Sequence, residues 1–116
     1  MLHWYRNLYM DEAVQKKTEK SKRRVEMCHK SFRQSLCFWK QDYYVIMLAE
    51  NPQNLFEIIE IRQLFFRRYQ HMDLYVVALA VTKERAVRLL KDMLTEIWES
   101  DRQFCVRGYF DKEDFS

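Results

Sequence analysis

The side chains that could carry chemistry in this chain are few and scattered. Cys28 and His29 are adjacent and Cys37 follows nine positions later, and these are donors of the type that hold zinc. Their spacing matches no zinc template, and His3 and His71 stand alone. Each cysteine reads better as a small buried hydrophobe, so neither a metal nor a cofactor is expected. No Ser, Cys or His sits in a nucleophile motif, which would need a base oriented by a third group. Asp42 and Asp73 recur at equivalent places, but at the starts of strands, where they suit turns better than an acid/base pair. No catalytic residue is nominated, and the chain reads as non-enzymatic.

Anion binding is the next chemistry to weigh. In open α/β sheets ligands bind beyond the carboxyl ends of strands, where free N–H groups of helix N-termini favour negative charge. The expected edge offers Asn51, Thr82 and Lys83, with Glu50, Gln53 and Glu84 nearby. There is no GxGxxG and no P-loop, and without Gly in either turn the backbone cannot easily wrap a phosphate. Ordinary helix capping accounts for Asn51 and Thr82 better than a ligand does. Arg62 joins this ligand set because it interrupts an apolar helical face, where an Arg either pairs with a carboxylate or awaits an anion.

The third feature is a basic run. Lys16, Lys17, Lys20, Lys22, Arg23, Arg24, Lys30 and Arg33 are opposed only by Glu19 and Glu26, within a chain of formal charge +3. Residues 16–33 are therefore more basic than the whole molecule, and the remainder is net acidic. Such a helix could neutralise phosphates of DNA or RNA, with Lys16, Lys17, Lys20, Arg23 and Arg24 as the candidate contacts. It lacks interleaved aromatics, and no helix-turn-helix pattern precedes it. A solvated face, or one that meets an acidic partner subunit, is the competing reading.

The elements that must position these groups follow from periodicity. Residues 1–10 are rich in aromatics and read as an arm that docks on the domain or on a second copy. Asp11 can cap a helix in which Val14, Thr18, Ser21, Val25, Cys28, Phe32 and Leu36 recur on one narrow face. That stripe is weakened by Thr18 and Ser21, so the helix is expected at an edge or projecting. Asp42–Ala49 and Asp73–Ala80 then form a repeat thirty-one positions apart, each a nearly continuous apolar run of the kind covered on both faces. Asn51-Pro52 opens an expected helix over 52–69, with Leu55, Ile58, Ile59, Phe65, Phe66 and Tyr69 on one face. Thr82 caps a second helix over 83–100 carrying Ala86, Leu89, Leu90, Met93, Leu94, Ile97 and Trp98. A short strand is expected at 104–107, and the acidic tail at 111–114 reads as solvated and frayed.

The sequence thus predicts one α/β domain over 1–116, with the arm and basic helix in 1–36 and a βαβα core with a short terminal strand in 42–110. The sheet is expected to be parallel, with two to three strands joined by crossover helices. So small a sheet leaves edges open, and self-association through Trp4, Phe56, Leu64 and Trp98, with Val87, is the expected remedy. With 48% hydrophobic and 16% aromatic residues, and Gly and Pro once each, the composition supports a packed core and few flexible joints. No apolar run is long enough to span a membrane, the first residues lack a signal pattern, and three irregularly spaced cysteines suit a reducing cytoplasm.

The run DLYVVALA at 73–80, the following helix with Ala86, Leu90 and Trp98, and FCVRGYF at 104–110 resemble a group of short uncharacterised proteins from anaerobic Gram-positive bacteria. The likeness extends over residues 42–110. Members of that group tend to carry Gly in the turn after the second strand, where this chain has Val81-Thr82-Lys83. The group has no established activity, so the resemblance implies a bacterial cytosolic protein and no mechanism. The expected function is a non-enzymatic interaction or regulatory module that self-associates, with nucleic-acid binding through 16–33 as the alternative.

Overall fold

The computed structural model describes residues 2–30, 43–49, 55–65, 69, 72–100, 110 and 112–116. Among them, four strands form one mixed sheet: β1 (Leu2–Met10), β2 (Tyr44–Leu48), β3 (Phe56–Glu60) and β4 (Leu74–Ala80), in the spatial order β1-β4-β2-β3. Three α-helices accompany them: α1 (Glu12–Gln15), α2 (Thr18–Lys30) and α3 (Lys83–Ser100). Short 3-10 helices occupy Ile61–Phe65 and Lys112–Asp114.

This corrects the expected parallel sheet of two to three strands. β1 and β4 are parallel, but β2 runs antiparallel to both β4 and β3. The cause lies in the segment read as the crossover helix. Phe56–Glu60 is a strand and Ile61–Phe65 a 3-10 helix, so residues 56–65 do not form the α-helix expected to carry the chain back over the sheet. Ile58 and Ile59 are β-branched and favour a strand. Ile59 and Ile61 are buried two positions apart, which is the strand period. The connection after β2 is short, and the Ala49 N–H donates to the Leu55 carbonyl at 3.3 Å as β3 turns back. The two repeated sequences are therefore both strands, but among the described residues the next element is a strand after the first and a helix after the second, so a structural βα repeat is not shown.

β4 is the centre of the core. From Leu74 to Ala80 its residues are buried on both faces, with the half-buried Tyr75 as the exception. Against β2, Ile46 pairs with Ala78 and Met47 with Val76, so Val77 is an extra residue in β4. A bulge of this kind changes which face the following residues take. Leu74, Val76 and Leu79 pack with Val14, Val25, Val45, Met47, Ile59 and Leu64 beneath α1, α2 and the 3-10 helix. Val77, Ala78 and Ala80 pack with Ile46, Ala86, Met93 and Ile97 beneath α3. The result is three layers, helix on sheet on helix. A fully buried Val, Leu or Ile contributes roughly 1.5–3 kcal/mol, so these two clusters supply most of the stabilisation.

The segment read as an arm is β1, a strand of this sheet. Trp4 and Tyr5 are 6% and 8% exposed and belong to opposite clusters. Its outer edge is also covered. The Trp4 N–H donates to the Ser116 carbonyl and the Ser116 N–H to the Trp4 carbonyl, both at 3.0 Å. The expected frayed tail is thus anchored: Phe115 lies 5.3 Å from the Tyr5 ring and 5.2 Å from the Tyr75 ring, and Arg6 meets Asp114 at 3.1 Å. α2 does not project. Val14, Ser21 and Val25 are wholly buried, and Ser21 hydrogen-bonds the Tyr43 hydroxyl at 2.9 Å, so the polar residue in the stripe is satisfied inside. The short strand expected at 104–107 lies outside the described residues.

Candidate functional site

β1 and β4 are parallel neighbours, so their carboxyl ends meet at one end of the sheet, and a helix begins after each. Asp11 follows β1 and Val81-Thr82 follow β4. Asp11 Oδ1 accepts the Val14 N–H at 2.9 Å and so caps α1. Its Oδ2 accepts the Val81 N–H at 3.1 Å, and Arg85 Nη1 approaches the same oxygen at 3.7 Å. Thr82 Oγ1 accepts the Arg85 N–H at 3.1 Å and caps α3. Asp11 is thus the joint between both strand ends and both helix starts. Sequence reasoning found its capping role and missed the rest, because β1 was not read as a strand.

Beside this joint lies a groove of about 260 Å³ lined by Asp11, Glu12, Arg85, Arg88, Leu89 and Asp92. Its charge is mixed, with three carboxylates against two guanidinium groups. An anion approaching the positive end of α3 meets the Asp11 carboxylate, whose side chain is only 8% exposed and already accepts the local N–H groups. The chain's own carboxylate occupies the place that an anionic ligand would take. None of the lining residues is a Ser, Cys or His, so nucleophilic chemistry of the usual type has no starting point there.

The residues nominated for a ligand do not converge. Thr82 serves as a cap, and Lys83 is exposed at the start of α3. Asn51 lies outside the described residues. Because β2 is antiparallel to β4, Tyr44 stands beside Ala80 while Met47 stands beside Val76, so β2 ends at the opposite side of the sheet from Thr82. Arg62 takes the carboxylate alternative, with Nη2 at 2.6 Å and Nε at 2.8 Å from Glu60 Oε1. Of the metal donors, His29 is buried with Nε2 at 3.0 Å from the Tyr69 carbonyl, and Cys37 lies outside the described residues. Among the described residues no three His, Cys, Asp or Glu side chains are grouped to hold a metal ion.

The surfaces are more informative than the groove. Lys16 and Lys17 form the turn between α1 and α2, and Lys20 and Arg23 are exposed on α2, with Arg24 half-buried. Lys22 departs from this set. Its ammonium lies 5.4 Å over the Trp4 ring, and Glu26 accepts the Trp4 indole N–H at 2.9 Å. Of the residues nominated for self-association, Trp4 is core, and Leu64, expected to face outward, is wholly buried. Phe56 is half-buried with its ring 5.9 Å from Phe110. Trp98 is 51% and Val87 36% exposed on α3. β3 ends the sheet, and among the described residues no strand pairs with its outer edge.

Comparison with known proteins supplies no relative: no family model, no curated protein and no solved structure matches the chain. Among the described residues no helix is long and apolar enough to cross a membrane.

Proposed function

We propose that this chain is a non-enzymatic interaction module that pairs with a second copy of itself along β3. The observation that carries the reading is the outer edge of β3, which no described strand covers. A sheet edge with which no strand pairs is a template for another strand; at this one the Glu60 N–H already donates to Gln63 Oε1 at 3.3 Å, so strand pairing there would displace that side chain. The residues Phe56-Glu57-Ile58-Ile59-Glu60 suit a two-fold antiparallel pairing centred on Ile58. That register sets Ile58 against Ile58 of the second copy, Phe56 against Glu60 and Glu57 against Ile59, so no like charges stand opposite. The half-buried Phe56 and Ile58, on the α3 side of the sheet, would gain cover from the same side chains of the partner. A bacterial cytoplasm is the proposed setting, supported by the resemblance over residues 42–110 and by the scattered cysteines.

Size-exclusion chromatography with light scattering tests this. A dimer mass is expected at about 10–100 μM, in the range of moderate association. Ile58→Lys sets two ammonium groups face to face and should give monomers, while Ile58→Thr keeps a β-branched strand residue and should leave most of the dimer. A wild-type chain that stays monomeric throughout, or a dimer that Ile58→Lys leaves intact while the fold is retained, overturns the reading.

A further inference from the structure

Lys16, Lys17, Lys20 and Arg23 are all exposed on the face of the molecule formed by α1 and α2. None of the four makes an ion pair or a side-chain hydrogen bond among the described residues. Surface cations in a balanced helix are normally neutralised by carboxylates three or four positions away. Two such carboxylates exist in α2, Glu19 and Glu26. The structure removes one of them from the surface: Glu26 is half-buried and bound to the Trp4 indole at 2.9 Å, although its place in sequence would let it serve Arg23. Glu19 is left as the single exposed carboxylate of α2. Among the described residues of α2 the one large exposed apolar side chain is Met27, at 43%. Among the described residues the ridge is therefore basic and polar, with four exposed cations against the exposed Glu12 and Glu19, and it has no apolar stripe to enter a bilayer and no aromatic anchor of the sort on which protein interfaces depend.

We infer that this ridge binds the phosphate backbone of a nucleic-acid duplex, without base recognition. From Lys20 to Arg23 the helix rises about 4.5 Å at ~1.5 Å per residue, and Lys16 and Lys17 stand in the turn just before it. A duplex carries one charge per about 1.7 Å of axis, so each base on the ridge finds a phosphate without a fitted sequence of acids. An acidic peptide would have to match the spacing of the four cations. Sequence specificity would need side chains that reach base edges, and the one exposed Gln described on the ridge, Gln15, already donates its amide to the Met10 carbonyl at 3.0 Å. The inference is independent of pairing through β3, which lies at a strand edge and does not use these residues.

The test is fluorescence anisotropy of the full chain with a mixed-sequence duplex DNA of about 20 base pairs, at salt from about 50 to 200 mM. Three to four neutralised phosphates predict a slope of log K against log salt near −3, or about a hundredfold weakening over that range. Lys20→Gln with Arg23→Gln should reduce the slope by nearly two and weaken binding at about 50 mM salt by tenfold or more. Both positions are exposed, and circular dichroism of the variant checks that its fold is kept. Absence of binding at the lowest salt overturns the inference, as does a slope that the folded double variant leaves unchanged. Vesicles with anionic headgroups are the second arm, and binding to them without binding to the duplex overturns it as well.

Discussion

Asp11 shows how much one side chain can do when it follows a strand and precedes a helix. Its two oxygens accept N–H groups from Val14 and Val81, residues seventy positions apart from Asp11 in the second case. Replacing it with Ala removes a helix cap, typically worth about 1 kcal/mol, and leaves the Val81 N–H without its acceptor, a further cost of about 1–3 kcal/mol. Asp11→Ala should therefore lose about 2–4 kcal/mol in urea unfolding, with an unchanged m-value. Asp11→Asn keeps a capping oxygen and should lose less than half as much. The same residue explains why the groove beside it is a poor anion site. Arg62 and Trp4 teach a related lesson, because each was nominated for an outside partner and each is satisfied within the chain, by Glu60 and by Glu26.

At the level of elements, close approach of α3 to the sheet depends on small residues. Ala86 is wholly buried in the same cluster as Ala78 and Ala80 of β4. Ala86→Leu places a larger side chain where the helix lies near the strands, and overpacking of this kind costs about 1–3 kcal/mol. A thermal melt should show Tm lowered by roughly 4–8 °C per kcal/mol. β4 and α3 were legible in the sequence because every local signal there agrees: a continuous apolar run, a Thr cap and a regular stripe. Three other features were not. In β1 the exposed Arg6 and Asn7 interrupt the apolar pattern, and the register against β4 slips between Trp4 and Tyr9. At 55–59, Leu55, Ile58 and Ile59 fall at helical spacing by coincidence, while the buried Ile59 and Ile61 obey the period of a strand. The direction of β2 then followed wrongly, since a parallel neighbour requires a crossover that this segment does not supply. Of the candidate surface, the basic residues were legible, but not the diversion of Glu26 to Trp4, a pairing between residues twenty-two positions apart.

For the whole molecule, the two proposals have a joint geometry. A two-fold axis relating antiparallel edge strands stands perpendicular to the sheet and carries each face onto itself. Pairing through β3 would therefore put both α2 ridges on the same side of an eight-stranded sheet. Two linked sites on one duplex bind more tightly than either alone, by as much as 10²–10⁴ where the spacing permits. Ile58→Lys should then weaken duplex binding by about tenfold or more, although Ile58 lies outside the ridge. Anisotropy of the wild type and of this variant at one salt concentration measures the difference. Equal affinities would mean that the two surfaces act separately.

β1 also has a history during synthesis. It is made before its lateral partners, Leu74–Leu79 on one side and Phe115–Ser116 on the other. At about 5–20 residues per second, β4 follows several seconds later. Until then Trp4 and Tyr5, which end in opposite halves of the core, have nowhere to be buried, and loop closure over so long a separation makes the strand late to dock. The nascent chain thus presents an aromatic strand to the cell for seconds before its own sheet can claim it, and that interval is when holdase chaperones would meet this protein.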